Sequence, residues 1–337
     1  MESTPLVSIC IPTYNRAGII GQAIESALRQ SYSNIEVIIV DNASTDNTAE
    51  VVKNYSDGRL RYVPNTENVG IFGNCNRCIN LAKGKYLHIL HSDDYIDPRF
   101  TETCVRFFEN HENVYLTFTS AHFISGKESR DITNFSEDMI FKAPDGLKKI
   151  LLQEISIICP SVMVRREIYA DIGSFSLEYP YAADYYQWLK AAKKYDIAYI
   201  RNAWIHYRIG DHSESYNYLF KNPIGYLDLV KIYIRFILDL GDERETFSNE
   251  LNVEFYQFIK NALSAGFTRS EQMPYMSPLF FSGVALNTLS LVKTGTLKGS
   301  LKKTGFFLLI QFAGILLSFS LLRKIVGSVL SHKGQGY

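Results

Sequence analysis

The segment Ile35 to Val40 (IEVIIV) is apolar almost without interruption, and it restricts the fold more than any other stretch of the chain. A strand with one wet face alternates polar and apolar residues. A strand apolar on both sides must be covered on both, as in a parallel sheet lying between helices. The neighbouring stretches agree. Leu6 to Pro12 (LVSICIP) reads as a preceding strand, and Ile19, Ile20, Ala23, Ile24, Ala27 and Leu28 recur at helical spacing between the two. A short helix over Asp46 to Tyr55, a strand over Leu60 to Val63 and a helix from Ile71 to Ala82, with Gly84 as its C-cap glycine, continue the alternation. A strand over Lys85 to Leu90 follows. Asp97-Pro98 then opens another helix, aspartate as cap and proline in the first turn. This order predicts an α/β fold with a mixed, mostly parallel sheet flanked by helices.

From about Val114 to Tyr207 the pattern is mixed. Tyr115 to Ser120, Ser161 to Val164, Ile197 to Ile200 and Trp204 to Tyr207 read as strands, and Tyr185 to Lys193 as a helix. Beyond Tyr218 the chain turns helical and increasingly apolar. The expected organisation is a half at 5–110, a second half at 111–218 and a helical region at 219–337. Basic and acidic side chains number 35 each, which removes the basic excess that phosphate-backbone binding needs, so no nucleic-acid partner is expected. Cys75 and Cys78 have the C-x-x-C spacing of a redox or zinc site, but no second pair exists to complete a zinc site. They read as ordinary helix-face cysteines of a reducing compartment. MESTPLVSIC carries neither a charged leader nor a long apolar run, which predicts no signal peptide.

Ligands of parallel sheets bind beyond the carboxyl ends of the strands. Three strand ends here are polar: Thr13-Tyr14-Asn15-Arg16, Asp41-Asn42 and His91-Ser92-Asp93-Asp94. Adjacent carboxylates at the end of a buried strand repel each other and are costly to desolvate, so a positive partner is required. No lysine or arginine follows until Arg99. A hard dication, Mg²⁺ or Mn²⁺, answers the requirement, since it takes oxygen ligands and completes its shell with water and substrate phosphate. Solvation of the pair, or capping of the next helix, is the plainer alternative. Other phosphate sites are poorly supported. There is no P-loop motif, and Gly70-Ile71-Phe72-Gly73 is half of a dinucleotide fingerprint.

Four motifs in order, PLVSICIPTYNR, IIVDNASTDNT, ENVGIFGN and AKGKYLHILHSDD, resemble the signatures of family 2 glycosyltransferases, whose fold is termed GT-A. The resemblance is strong over residues 5 to about 110 and thinner to about 215. It implies a metal-dependent, inverting, non-processive enzyme that moves a sugar from a nucleoside-diphosphate sugar to an acceptor hydroxyl. By the same resemblance Pro12, Thr13, Tyr14 and Asn15 line the nucleotide pocket, Asp41 reads the base, Asn68 and Asp93 contact the nucleotide sugar, and Asp94 holds the metal. Two positions depart from the family pattern: His91 stands where an aspartate is common, and Cys75 where an arginine is, with Arg77 as a possible substitute. In the second half, Gly173-Ser174-Phe175 followed by Asp184 before an aromatic helix is similar to the context of the family's catalytic base. Asp184 would then take the acceptor proton, although aspartate at a helix start is also an ordinary cap. Trp204 to Arg208 is similar to the segment before a loop over the donor, which makes Arg208 a diphosphate contact and His212 a further metal or phosphate contact.

Rival readings are weaker. A sugar nucleotidyltransferase would carry a glycine-rich basic loop after the first strand, and a processive synthase would show Q-x-x-R-W. A catalytically silent scaffold of the same fold would have no reason to retain Asp41, Asp93, Asp94 and Asp184 together. The apolar segments 276–292 and 305–322 flank a loop containing Lys293, Lys298, Lys302 and Lys303. Two full spans would put those lysines opposite the catalytic domain, against the positive-inside rule. The expectation is therefore helices dipping into the cytoplasmic leaflet, with a single span at 305–322 or a buried soluble pair as alternatives. That places the protein on the cytoplasmic face of the cell membrane, its acceptor a cell-envelope glycan or a lipid-linked one.

Overall fold

The computed structural model describes residues 4–210, Ser213 and the helical residues 228–229, 231–232 and 235–236. The chain divides into a unit from Met1 to Gly225 and a unit from Tyr226 to Tyr337. Both halves expected within the first 218 residues contribute strands to a single sheet. His212 and the apolar segments 276–292 and 305–322 lie outside the described residues. Among the described residues no helix is long and apolar enough to cross a membrane.

The first half is built as its apolar pattern requires. β1 (Val7–Thr13), β2 (Ile35–Asp41), β3 (Leu60–Pro64) and β4 (Tyr86–Ile89) lie in the order β3-β2-β1-β4, every pair parallel. α1 (Ile20–Leu28) turns Ile20, Ala23, Ile24 and Ala27 into the core, and α2 (Thr48–Lys53) and α3 (Ile71–Leu81) complete the crossovers. Six of the seven β2 residues are buried, as expected of a strand covered on both faces.

The second half is mixed, as its sequence pattern reads, and its antiparallel pairs make the sheet as a whole less parallel than expected. After β5 (Tyr95–Ile96) and α4 (Phe100–Asn110) come β6 (Val114–Ser125), β7 (Glu128–Ile132), β8 (Met139–Phe141), α5 (Asp145–Leu151), β9 (Met163–Arg165), α6 (Ile168–Ile172), α7 (Ala183–Lys194) and β10 (Asp196–Arg208). β9 enters antiparallel between β4 and β6, and β10 runs parallel to β6. β7 folds back on β6 across the two-residue turn Gly126-Lys127, a hairpin that needs no crossover helix. The two strands expected at 197–200 and 204–207 are one strand, β10, interrupted by a register shift between Ile200 and Trp204. The polar pair Arg201-Asn202 falls in that irregularity, where a bulge tolerates unpaired residues.

Two local expectations are corrected. Gly84 does not cap α3, whose C-cap is Ala82 in an extended conformation. A Cβ at Gly84 would lie 2.6 Å from the Ser8 nitrogen and 2.8 Å from the Leu6 carbonyl oxygen, so the glycine lets the backbone pass close to β1. Asp97 does not cap α4 through its side chain; its Oδ1 instead bonds His206 Nε2 at 2.8 Å, and α4 begins after Arg99.

Candidate active site

Parallel pairing brings the ends of β1, β2 and β4 to one rim, and the end of β10 joins them through Arg208. A cavity of about 510 Å³ opens there. Pro12, Thr13 and Tyr14 form one wall, Asn68 to Cys75 a second, and His91, Ser92 and Asp93 a third, with Arg16 and Arg208 supplying positive charge. The Thr13 hydroxyl is buried without a hydrogen-bond partner. The first turn of α3 faces the same space, and its leading N–H groups have no intrahelical acceptors, a suitable environment for an anion.

An asparagine network holds these walls in place. Asn42 Nδ2 donates to Asn68 Oδ1 at 2.7 Å, Asn42 Oδ1 accepts from Val69 N–H at 2.9 Å, and Asn65 Nδ2 bridges to Asn74 Oδ1 at 2.9 Å. Asn15, in the left-handed region at φ 52°, ties the loops after β1 and β2 together by accepting from Thr45 N–H at 2.8 Å. Asp41 is only 2 % exposed. Its carboxylate accepts from Ser44 N–H at 2.9 Å and from the Tyr62 hydroxyl at 2.5 Å. Of the residues expected to touch nucleotide, Pro12, Thr13, Tyr14, Asn68, Asp93 and Arg208 line the cavity, while Asn15 and Asp41 brace it from behind.

The acidic turn is organised around Asp94, which is 1 % exposed. Its Oδ1 accepts from Arg208 N–H at 2.8 Å, and Arg208 Nε donates to the Asp93 carbonyl, locking β10 to the turn. Its Oδ2 is buried and has no partner. Burial, then the neighbouring charge of Asp93, push the Asp94 carboxyl well above the usual carboxylate range. Ligand atoms of His91, Asp93 and Asp94 lie within 4.8 Å of one another. An orphaned buried oxygen inside such a cluster fits a dication.

Asp184 approaches from the other half. Gly173, in the left-handed region at φ 72°, turns the chain after α6, and its carbonyl accepts from Gln187 Nε2 at 2.6 Å. Phe175 then packs between Phe72 and Trp188, with ring centroids 5.4 and 6.0 Å away. A reciprocal pair of 2.9 Å bonds joins the backbone of Phe175 to the Asn76 side chain of α3. This staple ties the segment that leads into α7, the helix that carries Asp184, to α3. Asp184 is the second residue of α7 rather than its cap, and desolvation pushes its carboxyl up to about 6. Desolvation, then the charge of Asp184, push the Cys75 and Cys159 thiols up; Asp184 is not itself among the residues that line the cavity.

Comparison with known proteins decides what this arrangement belongs to. The model of glycosyl transferase family 2 matches residues 8–173. An Escherichia coli enzyme named UDP-Glc:alpha-D-GlcNAc-diphosphoundecaprenol beta-1,3-glucosyltransferase WfaP is 31% identical over 192 residues, covering 56% of this chain and 71% of its own. The chain belongs to glycosyl transferase family 2. A family 2 glycosyltransferase is an enzyme, and the fold agrees with solved ones. Staphylococcus aureus TarS 1-349 in complex with UDP-GlcNAc superposes with a TM-score of 0.65 at 19% identity, covering 84% of this chain and 80% of that one. The mannosyltransferase PcManGT from Pyrobaculum calidifontis, in complex with GDP-Man and Mn²⁺, gives 0.54 at 17%, covering 92% and 88%. At such identities the likeness is one of fold, a GT-A-like mixed sheet flanked by helices.

Within this glycosyltransferase some cavity residues escape sequence reasoning. Arg16 was visible only as part of the polar run after β1, and Leu177, 66 % exposed at the cavity mouth, carries no motif. Arg77 does not replace the missing arginine at Cys75; it lies on the exposed side of α3, and the cavity's cations are Arg16 and Arg208. Cys75 and Cys78 occupy the buried face of α3, and burial pushes both thiols up, Cys75 to about 12, which suits packing rather than redox chemistry.

Proposed function

We propose that this glycosyltransferase moves a sugar from a nucleoside-diphosphate sugar to an acceptor hydroxyl by a single inverting displacement that depends on a dication. The observation that carries the reading is the buried, unpartnered Oδ2 of Asp94 grouped with His91 and Asp93 at the cavity rim, and the raised carboxyl of Asp184 supports the base role. Asp94 and Asp93 would hold Mg²⁺ or Mn²⁺. When bound, the ion supplies Lewis-acid neutralisation of the diphosphate. The half-exposed Tyr14 ring offers the base a face, and Arg16, Arg208 and the first turn of α3 offer the diphosphate positive charge. Asp184, ionised, takes the acceptor hydroxyl proton as that oxygen bonds the anomeric carbon. The sugar–diphosphate bond breaks on the opposite face, and the nucleoside diphosphate leaves with the electron pair.

We place the acceptor in cell-envelope glycan assembly, glycan or lipid-linked. The names of relatives that act on GlcNAc-diphosphoundecaprenol support this, as do the apolar segments 276–292 and 305–322 with their lysines. The same features favour the cytoplasmic face of the membrane, peripheral or single-span. Purified full-length protein incubated with a panel of nucleotide sugars, with Mn²⁺ or with EDTA, tests the reaction. Release of nucleoside diphosphate from at least one donor, abolished by EDTA and restored by Mn²⁺, is expected; silence across the panel would refute it. Carbonate extraction followed by protease access to the C-terminus tests the membrane arrangement.

A further inference from the structure

Five histidines fall within the described residues, and four have a committed ring nitrogen. His88 Nδ1 lies 3.0 Å from the Val162 carbonyl oxygen, His111 Nδ1 2.8 Å from that of Phe107, His122 Nδ1 2.6 Å from Asp131 and His206 Nε2 2.8 Å from Asp97. His91 makes no such bond among the described residues. It stands on the cavity wall instead. The turn closed by Asp94 N–H on the His91 carbonyl, at 3.0 Å, brings the two side chains to one side, and His91 Nδ1 sits 3.8 Å from the unpartnered Oδ2 of Asp94. Two atoms that share an ion at about 2.1 Å each are separated by roughly 3 to 4.2 Å, and the observed spacing falls within that range.

We propose that His91 is a nitrogen ligand of the dication held at this rim, and that it makes the site select Mn²⁺ over Mg²⁺. The inference rests on the metal-dependent reading above and deepens it. Mg²⁺ demands hard oxygen ligands and near-ideal octahedral geometry, whereas imidazole suits the first-row transition metals. An imidazole placed with two carboxylates therefore lowers the affinity for Mg²⁺ more than for Mn²⁺. Asp93 shares the cavity wall with His91, while Asp94 approaches from beneath, so all three reach the ion without displacing a protein bond.

Mn²⁺ alone, titrated into the full-length protein and followed by electron paramagnetic resonance with Mg²⁺ as competitor, tests this. Pulsed spectra are recorded on protein carrying ¹⁴N- or ¹⁵N-histidine. The wild type should show a histidine-nitrogen coupling that changes with the label, and should prefer Mn²⁺ about tenfold or more. His91→Asp and His91→Gln should both lose the coupling, and His91→Asp should shrink the preference about tenfold, chiefly by tightening Mg²⁺. Bound Mn²⁺ with no histidine coupling, a coupling that survives both variants, or an unchanged preference in His91→Asp would overturn the assignment of His91. Mn²⁺ binding that Asp94→Ala abolishes but that lacks the coupling overturns the role of His91 and leaves the metal reading standing. No Mn²⁺ binding, or binding indifferent to Asp94→Ala, overturns both.

Discussion

Asp184 is where chemistry and stability pull against each other. Its carboxyl is raised to about 6 from an ordinary 3.8 by desolvation, so the folded protein holds that proton more tightly than the unfolded chain does. The contribution to stability therefore falls as pH rises from about 3.8 through about 6, and above that the ionised carboxylate bears its full cost. Asp184→Asn should stabilise the protein at pH 8 by on the order of 1–2 kcal/mol, discounted for partial exposure, and the gain should vanish below pH 4. Chemical denaturation at the two pH values measures it; an equal gain at both would show the desolvation cost to be absent. A general base works only when ionised, so turnover should climb roughly tenfold per unit below pH 6 and level off above it. The same Asp184→Asn change should lower turnover by about 10²–10⁴ while leaving donor affinity intact. Near-normal turnover would remove Asp184 from the base role. The identity of this residue was legible in the sequence only through its resemblance to a family context. The raised carboxyl was not legible, because it comes from desolvation at the start of α7 in the folded chain.

Elements explain how the lead into α7 is held. The staple between Asn76 of α3 and Phe175 joins residues 99 apart in sequence, and it ties the segment leading into α7 to that helix. Asn76→Ala leaves the Phe175 N–H and carbonyl without their partners, at a cost of about 1–3 kcal/mol. Turnover should fall more than donor affinity, since the donor walls stay held by the asparagine network; a loss confined to donor KM would contradict this. Gly84→Ala should be as damaging for a different reason. The added methyl meets backbone atoms of β1 rather than flexible side chains, and overpacking of that kind costs about 1–3 kcal/mol or more, readable as a lowered Tm. An unchanged Tm would contradict this role of Gly84. The parallel strands were readable because continuous apolar runs permit little else. Gly84 was misread as a helix cap because glycine after a helix signals a cap locally, while its actual constraint lies in a strand about 76 residues earlier. Likewise β10 looked like two strands, since periodicity cannot tell a bulge from a turn.

At the scale of the whole molecule, two halves of one sheet converge on a single cavity. The strand ends of the first half deliver Thr13, Tyr14 and the His91–Asp93 turn, and β10 brings Arg208 from the second, with Leu177 and Pro180 from the segment before α7. Chain order alone could not bring Arg208 to the Asp93–Asp94 turn, because that contact depends on β9 and β10 inserting beside β4 and β6. This rim would gather a sugar nucleotide together with a dication on Asp94. Calorimetric titration of full-length protein with a panel of nucleotide sugars, in Mn²⁺ and in EDTA, tests it most directly. At least one donor should bind in Mn²⁺, and its affinity should fall about 30-fold or more in EDTA and in Asp94→Ala, a loss of about 2 kcal/mol. Donor binding that ignores both the chelator and the substitution, or no donor binding at all, would contradict it.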